Sequence, residues 1–155
     1  MVIVLNGLGG YRHIEWLSIQ AVETYETEHY MTRIIASQGV YYSTCRINTF
    51  MNRICHLNGS TYEGRVIAAR KLLSVLRQPP ILIGYSTNMI IAIPFPKADK
   101  GSIYLFQRQF TAKALDDGTT LIKTHQGSEF IITIGQRAFK RRMDQAEMFF
   151  QMMKP

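Results

Sequence analysis

Short segments rich in Ile, Val, Tyr and Phe, separated by turn residues, run through most of the chain. Apolar runs of about four to eight residues, bounded by Gly, Pro, Asn or Asp, are typical of antiparallel strands. No alternation of strands with crossover helices is visible, so the pattern favours an α+β domain, mostly antiparallel β. Strands are predicted at 2–5, 18–23, 30–36, 40–42, 81–84, 89–93, 102–112, 119–124 and 129–134.

Two main helices are predicted within this β-rich pattern, at about residues 60–77 and 136–152. Ser60 and Glu63 have the spacing of a capping box, in which each side chain binds the other residue's backbone N–H. Proline cannot continue a helix, so Pro79 and Pro80 mark the end of the first one. Both helices have an apolar face at helical spacing. The faces are Tyr62, Val66, Ala69, Leu73 and Leu76 in the first helix, and Phe139, Met143, Ala146, Phe150 and Met153 in the second.

The remaining segments are interpreted as turns and loops. Residues 37–39 and 85–88 are expected to be hairpin turns, with Pro94 and Pro96 closing the second hairpin. Residues 45–57 mix polar and apolar side chains and are interpreted as a loop with strand pieces. Because the chain has 155 residues and no repeat or linker, residues 1–155 are predicted to form one domain.

Several kinds of site are disfavoured by spacing. The glycines of residues 6–10 do not make a dinucleotide fingerprint, since Arg12 stands where a third glycine is needed and no βαβ unit follows. Neither Cys45 nor Cys55 belongs to a zinc or disulfide pattern, so no metal site and no cofactor are expected. No nucleophile motif stands out, which argues against an enzyme. No signal peptide or membrane span is visible, and a cytoplasmic protein is expected.

The charge is distributed unevenly. The net charge is +7 with a pI of about 9.6, a level that points weakly to nucleic-acid binding. Residues 1–60 contain four Arg and four Glu, so the excess lies in residues 61–155, with 14 basic and seven acidic residues. A one-sided excess of this kind can attract phosphate, although a basic helix face is often only solvated.

The candidate DNA contacts are the basic residues of this second part. Arg65, Arg70, Lys71 and Arg77 lie on the first predicted helix, and Arg70 and Arg77 share a face because they are seven positions apart. No zinc finger, helix-turn-helix pair or basic zipper is present, so DNA binding would use a less common surface. The other candidates are Arg108 and Lys113, on a strand near Phe106 and Phe110, and Lys140, Arg141 and Arg142, at the start of the last helix.

One segment carries a family resemblance. Residues 53–65 read R-I-C-H-L-N-G-S-T-Y-E-G-R, which resembles the R-x-C-x-x-x-G-S-x-Y-x-G-R motif of the ComK competence transcription factors. Upstream, residues 33–35 and 40–42 resemble the family's basic-I-I and V-F-Y strands. Residues 86–94 and the Asp116-Asp117 turn resemble its later part. The likeness covers about residues 21–152 and leaves 1–20 unmatched. Its motif residues are Cys55, Gly59, Ser60, Tyr62 and Gly64, with Pro79 and Pro80 following at the family's spacing.

The resemblance implies a DNA-binding activator of the genes for DNA uptake. Members of the family are similar in binding paired A/T-rich boxes, apparently from the minor groove, as dimers that associate further, without a cofactor. RNA polymerase is a further expected partner. Arg53 and Arg65 join the candidate DNA contacts. Gly59 and Ser60 are expected to start the helix, Gly64 to permit close backbone packing, and Tyr62 to lie in the core.

Two departures from the family pattern, the unmatched residues 1–20 and the lack of one C-terminal segment, leave alternatives open. Typical members continue with a segment carrying F-M-L-Y-P-K, which the protease adaptor MecA captures, and residues 149–153 do not resemble it. Adaptor binding is therefore not expected. One alternative is an interaction module that has lost DNA binding and forms mixed oligomers with a full-length relative. Another is a small enzyme that uses the glycine loop, which predicts that a nucleotide would stabilise the fold.

Overall fold

The computed structural model describes residues 2–5 (backbone only), 16–74, 77–84, 89–106 and 110–154. A 3₁₀ turn covers Trp16–Ser18. The helices of the described residues are α1 (Ile47–Leu57), α2 (Tyr62–Leu73) and α3 (Gln136–Met153). The strands are β1 (Val2–Leu5), β2 (Ile19–Thr24), β3 (Thr32–Ala36), β4 (Gly39–Ser43), β5 (Ile81–Ile83), β6 (Ile90–Pro96), β7 (Ser102–Phe106), β8 (Phe110–Ala114), β9 (Thr120–Thr124) and β10 (Glu129–Ile132).

The strands form two sheets. The larger sheet has the order β1-β4-β3-β2-β7-β6-β5, in which every neighbouring pair is antiparallel except β1 and β4. The smaller sheet is the antiparallel meander β10-β9-β8. This arrangement confirms the predicted single α+β domain and the antiparallel pairing of β3 with β4 and of β5 with β6. Residues 85–88, predicted to form the second hairpin turn, lie outside the described residues.

The larger sheet is buried on both faces, which explains why its strands are continuous apolar runs. One face packs against α1, and the other packs against the small sheet and α3. Helix α2 lies beside the edge strand β5 and touches both cores, with Tyr62 and Val66 against the first and Ala69 and Leu73 against the second. The first core includes Val22, Ile34, Tyr41, Phe50, Met51 and Ile54, and the second includes Ala21, Ile93, Leu105, Phe130, Phe139 and Phe149.

The loop predicted at residues 45–57 is wrong, because residues 47–57 form α1. Phe50, Met51, Ile54 and Cys55 are buried at the spacing of one helix face. The N-cap, Arg46, makes no side-chain cap hydrogen bond, so the start of this helix has no capping signature. Burial of its apolar face, and not local propensity, determines this helix.

Helix α2 is shorter than predicted, and the proposed capping box is wrong. Thr61 is the N-cap, and its Oγ1 accepts a hydrogen bond from the N–H of Gly64 at 3.0 Å. The hydroxyl of Ser60 instead donates to the carbonyl of Cys55 at 3.2 Å. The helix ends at Leu73, where Ser74 takes a left-handed conformation with φ of 54°. Leu76 lies outside the described residues.

The prediction of one strand over residues 102–112 is also wrong. The segment is divided between β7, in the large sheet, and β8, in the small one. Apolar residues continue through both strands, so composition alone could not reveal the change of sheet.

Pro94 and Pro96 lie inside β6 and do not close the hairpin before them. The N–H of Lys97 donates to Gly101 across the β6–β7 turn, so the alternate positions 94 and 96 point their nitrogens away from β7. On the side of β6 that faces away from β7, β5 pairs with β6 only as far as Ala92. The two prolines therefore occupy positions where no strand needs their missing N–H groups.

The carbonyl groups of these prolines join β6 to the second layer. That of Pro94 accepts from Nη1 of Arg142 on α3 at 2.9 Å. That of Pro96 accepts from the N–H of Thr133, just after β10, at 3.2 Å. Lys97 and Ile132 continue this connection as an isolated antiparallel bridge. The two sheets are thus hydrogen-bonded to each other at the end of β6.

Candidate nucleic-acid interface

The segment that carries the family motif is the connection between α1 and α2. The carbonyl of Cys55 accepts from the backbone N–H groups of Asn58 and Ser60, at 2.9 and 3.0 Å, and from the Ser60 hydroxyl. Gly59 has φ of 75°, in the region that favours glycine. A Cβ on Gly64 would meet Oγ1 of Thr61 at 3.0 Å, so the close approach at this exposed residue is to its own helix cap. The motif therefore forms the hydrogen-bonded turn that joins α1 to α2.

The apolar side of this connection is buried. Cys55 is fully buried, and burial raises the pKa of its thiol to about 11, although Arg65 and Ser60 act in the opposite direction. Tyr62 packs against the first core, and its hydroxyl lies 2.6 Å from the hydroxyl of Tyr104. Burial, with Tyr62 as a second cause, raises the pKa of Tyr104. Tyr62 is thus placed in a packed, hydrogen-bonded pair.

The two arginines of the motif are half-buried and hydrogen-bonded within the fold. Nη1 of Arg53 lies 3.1 Å from the sulfur of Cys45. Nε of Arg65 donates to the hydroxyl of Ser60 at 2.8 Å. Both side chains therefore have an internal role in addition to any contact with DNA.

The basic residues around the end of α2 form the first exposed group. Arg70, Lys71 and Arg77 are exposed, and none forms an ion pair with another residue that the structure describes. Arg70 and Lys71 lie in the last turn, where the helix dipole favours cations. We name Arg70, Lys71 and Arg77 the α2 group.

A second exposed group lies where β8 meets the beginning of α3. Lys113, Lys140 and Arg141 are exposed and likewise form no ion pair within the described part of the chain. The first turn of α3 has no acidic residue, and Arg137 also lies there. The helix dipole disfavours a cation in the first turn, where Arg137 lies, whereas Lys140 and Arg141 lie in the next turn. We name Lys113, Arg137, Lys140 and Arg141 the α3 group.

Arg142 differs from its neighbours because it faces the protein. Besides its bond to Pro94, its guanidinium carbon lies 5.4 Å from the ring centroid of Phe95. Burial, together with Arg141, lowers the pKa of its guanidinium. Arg142 holds α3 against β6. Arg108, another predicted contact, lies outside the described residues.

The predicted residues do not form one continuous cluster. Arg53 lies on α1 and packs over one face of the large sheet, whereas the α3 group lies in the layer over the opposite face. The sequence analysis did not name Arg137 or the exposed Lys123 of β9 among the candidates. The i, i+4 spacing of Arg137 and Arg141 on α3 would have been a usable signal.

Comparison with protein-family models matches residues 16–155 to a family described as ComK protein. The chain belongs to the ComK family. ComK proteins are competence-related transcription factors and are not known as enzymes, which agrees with the resemblance of residues 53–65. Neither the curated proteins nor the solved structures contain a match.

Two kinds of feature are absent from the described residues of this ComK-family chain. None of their helices is long and apolar enough to cross a membrane. None of their His, Cys, Asp and Glu side chains form a group of three or more that could hold a metal ion.

Proposed function

We propose that this ComK-family chain is a DNA-binding activator of competence genes that acts at the nucleoid. It recognises paired A/T-rich boxes through the minor groove, as a homodimer or higher oligomer that contacts RNA polymerase. The observation that supports DNA binding most directly is the α2 group, three exposed cations without an acidic partner among the described residues.

The physical chemistry of A/T-rich DNA suits such a group. A-tracts have a narrow minor groove with an enhanced negative potential, which attracts inserted arginine. Arg70 and Arg77 flank the end of α2 and are separated by the left-handed Ser74, so Arg77 lies beyond the helix. In this arrangement one side chain can enter a groove while the other contacts the phosphates beside it. Groove shape then provides selectivity, and phosphate contacts provide affinity.

The test is a DNA titration with two duplexes at two salt concentrations. One duplex carries two A/T boxes, and the other carries the same bases scrambled. We expect tighter binding to the boxes and a loss of affinity as salt rises. Arg70→Ala and Arg77→Ala should each weaken binding and lower the slope of log affinity against log salt by about one.

Lys100→Ala is the matched control, because Lys100 is equally cationic and its side chain is 81% exposed, but it lies in the β6–β7 turn beside Glu26. This variant should leave the slope unchanged. If neither arginine variant changes binding, the α2 group is not part of the interface. If both duplexes bind equally weakly, the interaction module becomes the better function, and its test is co-purification with a full-length relative in the absence of DNA.

A further inference from the structure

Strand β8 is an open edge of the small sheet. It pairs with β9 on one side, and no described strand pairs with it on the other. Four of its five residues are exposed, and Phe110 is half-buried. By contrast, the other outer strand of this sheet, β10, is bridged to the end of β6 through Ile132 and Lys97. An exposed edge of this kind presents unpaired backbone groups to an incoming strand.

The hydrogen-bonding direction of each β8 residue follows from its hairpin. The N–H of Leu115 donates to the carbonyl of Thr119 at 3.0 Å, so the backbone N–H and C=O groups of Leu115 point toward β9. Because this direction alternates along an antiparallel strand, the backbone groups of Thr111 and Lys113 also point toward β9. The backbone groups of Phe110, Ala112 and Ala114 therefore point away from β9, toward the open side. Neither alanine has a side chain that would obstruct a strand arriving there.

A groove of about 230 Å³ lies beside this edge, between β8 and α3. Ala112 and Ala114 line one wall, and Phe139 and Met143 form an apolar floor. Lys140 lies at its rim. Ala112 pairs with the buried Ile122, so it is on the inner face of the small sheet, and Lys113 is on the outer face. A cation is thus available on each side of any strand that pairs with β8.

We propose that an extended acidic segment of a partner protein adds to β8 as a fourth strand of the small sheet. Its backbone pairs with Phe110, Ala112 and Ala114, and its inward side chains enter the groove over Phe139. Its carboxylates lie beside Lys113 and Lys140. Strand addition of this kind takes affinity from the main chain and specificity from alternate side chains.

Charge complementarity favours an acidic peptide on β8 over two other occupants, a second copy of this chain and DNA. A second copy of this chain would bring another Lys113 and Lys140 to the same place, with like charges close together. DNA could use the lysines but has no strand-like backbone for the open positions of β8. An acidic extended peptide satisfies both the edge and the cations. This proposal does not depend on DNA binding by the α2 group.

The experiment uses the full chain and a fluorescein-labelled peptide of repeating Glu-Glu-Val-Val, which places carboxylates on both faces of a strand, followed by fluorescence anisotropy. The control peptide has the same sequence with N-methyl groups on alternate backbone nitrogens, which removes donors and leaves the charge unchanged. We expect the N-methylated peptide to bind about tenfold more weakly or worse, since several backbone hydrogen bonds are lost. Equal binding of the two peptides would overturn the proposal, because it would leave only charge attraction.

Variants of the protein give an independent readout. Ala112→Pro removes an N–H on the open side that β9 does not use, so it should weaken peptide binding by about tenfold. Lys100→Gln, at a cation of the β6–β7 turn that lies outside the groove, is the control, with binding close to that of the unmodified chain. Lys113→Gln and Lys140→Gln should each weaken binding and its salt dependence. Circular dichroism and the unfolding midpoint show whether each variant is folded.

Two other outcomes would assign the edge to a different occupant and so contradict the proposal. In the first, sedimentation equilibrium shows a dimer of the free chain that Ala112→Pro abolishes, which identifies a second copy. In the second, Lys113→Gln and Lys140→Gln weaken duplex DNA binding, while Ala112→Pro has no effect on the peptide. In that case the two lysines serve DNA.

Discussion

The buried charge network around Glu23 leads to the most quantitative prediction. Glu23 on β2 is 2% exposed, and its carboxylate accepts from Nε of Arg33 at 2.8 Å and from Nζ of Lys97 at 2.6 Å. Nζ of Lys97 also donates to the carbonyl of Thr24 at 2.9 Å and lies 3.6 Å from Asp99. One buried carboxylate thus compensates two cations. Glu23→Gln keeps the size of the side chain and removes that compensation.

The expected loss of stability depends on whether each cation can reach water once the carboxylate of Glu23 is removed. Removing one partner of a buried ion pair costs about 3–5 kcal/mol. The side chain of Arg33 is 26% exposed and can turn toward water, whereas that of Lys97 is 8% exposed and cannot. We therefore expect Glu23→Gln to lower the free energy of unfolding by about 3 kcal/mol, at the lower end of this range. Lys97→Met leaves Glu23 paired with Arg33, and should cost about 2 kcal/mol.

The measurement is urea unfolding of both single variants and the double variant. In the double variant Lys97 is replaced, so the glutamine leaves no buried ammonium without a carboxylate. The loss of unfolding free energy should therefore be at least about 1 kcal/mol smaller than the sum of the two single losses. Lys100→Met is the control, since its pair with Glu26 is exposed and should contribute less than about 0.5 kcal/mol. Additive losses, or a loss below about 1 kcal/mol for Glu23→Gln, would refute the reasoning.

Two further predictions concern the first core. Tyr62→Phe should cost about 1–2 kcal/mol in urea unfolding, because it removes the partner of the buried Tyr104 hydroxyl. Adding Tyr104→Phe should recover part of that loss, and a further loss would contradict the pairing. For Cys55, the native pKa of about 11 lies above the unfolded thiol value of about 8.5, so the unfolded state loses its proton first as pH rises. Its contribution to stability is complete below about pH 8 and is lost between about pH 8.5 and 11, by up to about 1.4 kcal/mol per pH unit. Cys55→Ala should remove the part of this decline that begins below pH 10.

The strands were largely predictable because burial on both faces of the large sheet leaves uninterrupted apolar runs. Helix α1 was not predictable in the same way. Its residues Ile47, Asn48, Thr49 and Asn52 have modest helix propensity, and its N-cap makes no side-chain bond. The helix is stabilised by packing on a sheet whose strands are distant in sequence.

The beginning of α2 shows how tertiary contacts decide between equal local signals. Ser60 and Thr61 are both suitable N-caps. The hydroxyl of Ser60 binds Cys55 at the end of α1, which leaves Thr61 to cap α2. That outcome depends on α1, a helix that the local sequence did not predict.

The candidate site was predictable as a set of charges but not as a surface. Sequence shows where the cations are, and the exposure of Arg70, Lys71 and Arg77 agrees with a binding role. It does not show that Arg142 binds the carbonyl of Pro94, because that contact spans 48 residues. Which arginines point inward is determined only when the layers assemble.

The two prolines of β6 also bear on how this protein avoids aggregation. The far half of β6 extends past the end of β5, and such an overhang would be a template for pairing between molecules. Without N–H groups at 94 and 96, and with both carbonyls already bound, it offers an incoming chain almost nothing. Association between molecules at high concentration should therefore involve surfaces other than this end of β6. Substitutions that raise solubility can then be made away from the junction between the two sheets.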